Sequence, residues 1–295
     1  MLPYVEHPVW HFGPVTIYAF GVAVAAAVWF GLAAARRRFA SVGLDPALTD
    51  RAGRWTLTGG VLGAHLFSVV VYFPEKLQSD PWLLLRLWED ISSFGGILGG
   101  VAGAIVFFAY RARAEERRAL GPFLDTVAFV FPGALALGRL GCALAHDHPG
   151  RVTSFPLAIS LESEAARAHI GTVYDAAGLE FPPTAAGLGF HDLGLYEFGF
   201  LALVLVPLFA ILGRRPRPTG FFLTAFAALY LPVRFSLDTL RVADVRYLGL
   251  TPAQWVAALI FAALPFAAIH RPRLRLVVAG VVLLATAWAC TAAGR

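Results

Sequence analysis

Eight apolar stretches, each long enough to cross the roughly 30 Å of hydrocarbon in a bilayer, divide this chain into alternating spans and loops. They run over about 15–35, 55–73, 91–110, 122–145, 195–213, 220–236, 252–269 and 274–291. Backbone polar groups in hydrocarbon must be satisfied within their own segment, so such stretches read as helices. With 58% hydrophobic and 15% charged residues and a mean hydropathy of +0.68, the chain lies well outside the range of soluble domains. The expected fold class is therefore all-α, a polytopic transmembrane bundle of seven to eight spans. The first span follows a short polar leader and lacks a small-residue cleavage site behind it, so it reads as a retained helix.

Basic residues cluster on one side. Arg36, Arg37, Arg38, Arg51 and Arg54 follow the first span, and Arg111, Arg113, Arg117 and Arg118 follow the third. Arg214, Arg215 and Arg217 follow the fifth, and Arg271, Arg273 and Arg275 the seventh. Short cytoplasmic loops hoard Lys and Arg, so this pattern sets those loops inside and both termini outside. The formal charge of +5 is then a topology signal and calls for no nucleic-acid partner. One long hydrophilic excursion, 146–194, carries six acidic residues and exceeds an ordinary connector. It reads as a small extracytoplasmic head between transmembrane blocks 1–145 and 195–295, with a short helix over 161–169 and turns at Phe181-Pro182-Pro183 and Gly187–Gly189. Cys142 and Cys290 are too few and too far apart for a disulfide framework and read as free.

Within this apolar chain two guanidiniums stand out. Arg139 lies inside the run 123–145 and Arg234 closes the run 221–233. An arginine near a span centre costs roughly 3 kcal/mol or more and faces a bundle interior with a partner. Two of them point to an intramembrane anion site. By topology four stretches meet at one depth: Ser92–Gly96, Gly138–Gly141, His191–Glu197 and Tyr230–Asp244. Tyr230, Arg234, Asp238 and Arg241 recur at helical spacing, so they are expected on one face, able to hold a phosphate between guanidiniums oriented by the carboxylate. The bland alternative is a structural Arg234–Asp238 ion pair. Gly95, Gly99 and Gly103 repeat every four residues, as do Gly96 and Gly100, and read first as a close-packed helix face and second as room for a lipid chain. Missing repeats of the arginines in two halves argue against an inverted-repeat transporter.

These residues resemble the bacterial prolipoprotein diacylglyceryl transferases over most of the chain. The similarity is carried by Gly13-Pro14, Gly59–Ala64, Phe94-Gly95-Gly96, Asp125, Gly138-Arg139-Leu140-Gly141 with Gly150-Arg151, His191 with Leu195-Tyr196-Glu197, and Arg234–Asp244 followed by Gly249, Thr251 and Gln254. The resemblance implies transfer of the diacylglyceryl group of phosphatidylglycerol to the lipobox cysteine of preprolipoprotein signal peptides, releasing glycerol phosphate. It implies no cofactor and no metal. The setting is a multi-pass protein of the bacterial cytoplasmic (inner) membrane, its site facing the outer leaflet. Carried over residue by residue, Arg139, Arg234, Tyr230 and His191 are the expected catalytic groups. Arg241, Asp238, Gly95, Gly96, Gly138, Gly141, Asp147, Gly150, Glu197 and Asp244 are the expected substrate-binding ones.

The departures bear on mechanism. Phe94 stands where the family carries a histidine proposed as general base, Phe20 where a tyrosine is usual, and Cys142 in place of an asparagine. Asp147 replaces a glutamate, and Asp192-Leu193-Gly194 replaces Pro-Ser-Gln. Three readings follow: the base is dispensable; His146 or His148, in the cluster His146-Asp147-His148, substitutes for it; or the chain is a non-catalytic or altered-acceptor homologue that binds anionic phospholipid. A metal in that cluster would need a third ligand. Cys142 as a transient nucleophile competes with plain packing.

Overall fold

A computed structural model describes residues 1–87, 89, 91–181, 187–242 and 244–267. Six helices in it are long and apolar enough to cross a membrane: α1 (Ala19–Ser41), α2 (Pro46–Tyr72), α3 (Ser93–Arg111), α4 (Glu116–Ala145), α6 (Leu193–Leu212) and α7 (Phe221–Asp238). Between α4 and α6 lies α5 (Glu164–Ala176), and after α7 comes α8 (Pro252–Ala267), the start of the seventh expected span. The eighth expected span, with Cys290, Arg271, Arg273 and Arg275, lies outside the described residues.

Two boundaries differ from the sequence expectation. The first apolar stretch does not begin as helix: Val15–Tyr18 (β2) pairs antiparallel with Val9–Phe12 (β1), Phe12 opposite Val15. Gly13 takes φ +59° in the intervening turn, a conformation suited to glycine, and the flanking residues are β-branched or aromatic. The second helix starts earlier than expected. Asp45 accepts a hydrogen bond from Ala47 N at 3.0 Å and Pro46 occupies the first turn, so Arg51 and Arg54, expected in a loop, are helical.

The chain folds as two compact units, Met1–Gly31 with Phe131–Arg215 and Ala227 onward, and Leu32–Val130 with Pro216–Phe226. In the second unit α2 and α3 pack backbone to backbone through their glycines. A Cβ on Gly99 would lie 2.2 Å from Gly59 O and 2.7 Å from Gly63 Cα. His65, fully buried in α2, sets Nδ1 2.7 Å from Glu89 O and Nε2 2.9 Å from Leu83 O, tying the following loop to the helix. Phe39, Phe107, Phe108 and Phe123 form the local core. Asp125 accepts from Leu223 N at 3.0 Å at the start of α7, a capping role.

In the first unit, β3 (Pro149–Thr153), β5 (Gly189–Asp192) and β4 (Ile159–Ser160) form an antiparallel sheet with β5 central. These strands were not foreseen in a chain read as all-α. Helix α5 begins at the Ser163 cap, later than the expected 161–169, and buries Ala166, Ile170 and Tyr174 against Ile159, Leu161 and Phe190. The register pairs Pro149 with Asp192, with a bulge before Val152. Strand β5 runs directly into α6, where Asp192 caps the helix by accepting from Leu195 N at 2.8 Å.

Because so little space separates α2 from α3, Gly99→Ala is expected to force the helices apart at a cost of about 1–3 kcal/mol. Thermal unfolding of the detergent-solubilised protein would show a lowered Tm; an unchanged Tm would contradict this packing.

Candidate functional site

Three helices of the first unit bring ionisable side chains to one buried point. Arg139 projects from α4, Glu197 from α6, and Tyr230, Arg234 and Asp238 from one face of α7. Glu197 is the hub: its Oε1 lies 3.0 Å from Arg139 Nε, and Arg234 Nη1 lies 3.4 Å from its Oε2. The Tyr230 hydroxyl donates to Glu197 Oε1 as well. Both arginines, Glu197, Tyr230 and Asp238 are all buried. Arg234 Nη2 also lies 2.9 Å from Asp238 Oδ1, so the ion pair weighed as a structural alternative is present alongside the convergence on Glu197.

Local packing explains why these groups meet. A Cβ on Gly194 would lie 2.9 Å from Ala143 N and 3.0 Å from Cys142 Cβ, so only glycine lets α6 start this close to α4. On the other side of α4, Gly141 gives α1 access, with Phe20 and Ala23 against it, whereas a Cβ on Gly138 would meet nothing within 4 Å. Asp238 is fixed from beyond its own helix: Thr251 Oγ1 donates to its Oδ2 at 2.8 Å. Thr251 and Gln254 cap α8 reciprocally, with Thr251 N to Gln254 Oε1 at 3.0 Å and Gln254 N to Thr251 Oγ1 at 3.1 Å. That Thr-x-x-Gln box is a helix start legible in the sequence.

Arg241 departs from the expected helical face. Helix α7 ends at Asp238, and Leu240 N and Arg241 N bond back three residues, to Leu237 O and Asp238 O. Arg241 instead bridges to Gly150, with Arg151 N donating to Leu240 O at 2.9 Å, and pairs through Nη1 with Asp244 Oδ2 at 2.8 Å. A Cβ on Gly150 would lie 2.9 Å from Leu240 O and 2.9 Å from His191 Cβ, so this crossing needs glycine. Burial pushes the Asp244 carboxyl upward despite the Arg241 charge.

The histidines separate by environment. His146, buried and in the left-handed region at φ 48°, has Nδ1 2.5 Å from Asp192 Oδ2 and Nε2 3.1 Å from Val5 O, and it stacks on Tyr4 at 4.7 Å. Both nitrogens serve structure, which answers against His146 as a free base. His191 has Nδ1 3.0 Å from the Tyr196 hydroxyl and its ring beside Phe155; burial lowers its pKa. Its ring partners are therefore Tyr196 and Phe155. His148 is different. Its Nδ1 is bonded to Asp147 Oδ1, and its Nε2 lies 3.4 Å from Arg139 Nη1.

Cys142 Sγ lies 3.7 Å from that same Arg139 nitrogen, and the Cys142, Asp147 and His148 ligand atoms fall within 4.8 Å of one another. The spacing suits a metal, but Sγ and the His148 Nε2 both face a guanidinium, a poor neighbour for a second cation. Phe94, Gly95 and Gly96 belong to the other unit, where Phe94 and Gly95 are buried in α3 and a Cβ on Gly95 would lie 2.3 Å from Gly63 O.

A family model described as prolipoprotein diacylglyceryl transferase matches residues 7–269. The phosphatidylglycerol–prolipoprotein diacylglyceryl transferase of Chromohalobacter salexigens is 30% identical over 248 residues, covering 83% of this chain and 82% of its own. The protein of the same name from Bordetella bronchiseptica is 28% identical over 265 residues, 86% of this chain and 91% of its own. That of Paraburkholderia phymatum is 27% identical over 310 residues, 97% and 93%. With a family match spanning most of its length and relatives of that name matching over most of both chains, this chain belongs to the prolipoprotein diacylglyceryl transferase family.

Proposed function

We propose that this protein moves the diacylglyceryl group of phosphatidylglycerol to the cysteine thiol of a preprolipoprotein, releasing glycerol phosphate. One observation supports the role of its site above all: two buried guanidiniums from different helices reach the same carboxylate. In the reaction a sulfur–carbon bond forms at the glycerol carbon while the carbon–oxygen bond to phosphate breaks, and the electron pair stays on the phosphate oxygen. A diester with one negative charge thereby becomes a monoester with two. Fixed cations beside that oxygen stabilise the transition state more than the bound lipid, which is the requirement for a faster chemical step.

In this reading Arg139 and Arg234 grip the phosphate, Tyr230 donates to it or to Glu197, and Asp238 holds Arg234 in place. Glu197 keeps the guanidiniums aligned before the lipid arrives and shares them afterwards. Arg241, paired with Asp244, would add a further cation for the headgroup. The protein would sit in the bacterial cytoplasmic (inner) membrane with the site open to the outer leaflet, where signal peptides emerge. The segment 146–194 would form an extracytoplasmic head between the blocks 1–145 and 195–295.

Arg139→Ala and Arg234→Ala are each expected to lower release of glycerol phosphate from radiolabelled phosphatidylglycerol with a lipobox peptide by at least 10²–10³-fold. Neither should rescue cells depleted of their own transferase. Arg139→Lys keeps the charge but loses the planar fork, and should retain wild-type Tm while losing at least tenfold in rate. Normal lipidation by both alanine variants would overturn the proposal.

A second expectation concerns the hub. Removing one partner of a buried ion pair costs about 3–5 kcal/mol, so Glu197→Gln should lower Tm measurably. It should also retain phosphatidylglycerol through purification more strongly than wild type, as read by mass spectrometry of the extracted lipid, because the cations lose a competing anion.

A further inference from the structure

Resting on the transfer reaction above, we propose that His148, oriented by Asp147, takes the proton from the acceptor thiol. A thiol with a free pKa of about 8.5 is mostly protonated at neutral pH, so its attack needs an acceptor for that proton. The groups around the arginines are otherwise committed. Glu197 serves both guanidiniums and Tyr230; Asp238 serves Arg234 and Thr251; Asp244 serves Arg241; and His146 has both nitrogens facing acceptors.

His148 retains a usable lone pair. A guanidinium offers only donors, so the Nε2 facing Arg139 Nη1 at 3.4 Å is the acceptor nitrogen, and the ring proton sits on Nδ1, donated to Asp147. The Arg139 contact is long enough for a thiol to displace. The His148 side chain is 21% exposed, so a substrate can reach it. Asp147 also borders a cleft of about 480 Å³ between Thr16 and Tyr18 of β2, Phe20 and Gly21 of α1, and Ala145. Asp147 therefore lies at the edge of open space, and the His148 it orients lies beside the proposed phosphate grip, as nucleophile activation demands.

The charges facing the imidazole suit this role. Burial lowers the His148 pKa below its ordinary value; Asp147 opposes this, and the Arg139 and Arg241 charges add to it. Cys142, packed between Arg139 and Asp147, and Glu197 complete the surroundings. Burial would raise the Asp147 carboxyl, but its bond to His148 and the Arg139 charge outweigh that and hold it below the usual carboxylate range. His148 is thus a neutral base at neutral pH. In the step, the thiol proton moves to Nε2, sulfur bonds to the glycerol carbon, the phosphate oxygen leaves with its electron pair, and the imidazolium returns the proton to water.

The test uses the purified full-length protein, phosphatidylglycerol vesicles, and a lipobox peptide bearing either cysteine or selenocysteine, whose selenol is ionised at neutral pH without help. His148→Gln is expected to lower kcat by about 10²–10⁴-fold with the cysteine peptide and to stay near wild type with the selenocysteine peptide. In wild type, kcat/KM for the cysteine peptide should fall as pH drops below about 6.5 and through the lowered His148 pKa. Asp147→Asn should move that limb to lower pH, and His148→Gln should abolish it. Three results would overturn the proposal: unchanged cysteine turnover in His148→Gln, equal losses with both peptides, or activity removed by EDTA and restored by zinc. If the wild type releases no glycerol phosphate at all, the transfer reading falls and takes this role with it, an outcome distinct from a normal wild type with an indifferent His148.

Discussion

A single carboxylate, Glu197, holds two guanidiniums inside a membrane bundle, and the surrounding first unit is arranged to keep it there. Burying an ion costs several kcal/mol unless its partners are fixed, so a loose Glu197 would destabilise the fold it sits in. Each helix that supplies a charge is accordingly pinned close by. Gly194 presses α6 onto α4, Asp192 caps α6, and the Thr251–Gln254 cap of α8 holds Asp238 from outside α7. Gln254 reaches back to Phe235 O at 3.0 Å, tying α8 to the turn of α7 that bears Arg234. Fold stability and site geometry are here the same set of contacts.

Much of this was legible in the chain because a bilayer leaves few options. Apolar runs of span length read as helices, and an arginine inside one must find a partner, so six of the expected spans and the partnered burial of Arg139 and Arg234 followed from residue type alone. The strands did not. Segments of two to five residues such as Ile159–Ser160 and Pro149–Thr153 carry too little period to register, and the pairing of Pro149 with Asp192 is a long-range event that no local window contains. The same limit hid the end of α7. Spacing alone put Arg241 on the face of Arg234, but the helix tightens and stops at Asp238, and the arginine is carried across to Gly150 instead.

Sequence could rank His146 and His148 only together, since both lie just past the Arg139 helix. Their difference is one of partners. His146 occupies a backbone conformation that disfavours side chains, with φ 48°, and such strain persists only where surrounding contacts over-determine it. Asp192, Val5, Tyr4 and the bond from His169 Nε2 to His146 O, 3.0 Å long, supply that restraint. The Asp192 that departs from the family pattern is thus half of a structural pair. Phe94, by contrast, is a buried apolar side chain and can move no proton.

Charge accounting gives the carboxylates a place in the lipid-binding site proposed above. At rest Arg139 and Arg234 are balanced by Glu197 and Asp238, so the buried cluster is neutral and tolerable in hydrocarbon. In the proposed role a phosphodiester adds one negative charge and the leaving monoester two, so attraction to the guanidiniums grows as the carbon–oxygen bond breaks, lowering the barrier, and continues to grow toward the product. In that role a carboxylate that competes for both arginines weakens their hold on the departing phosphate and so favours its release.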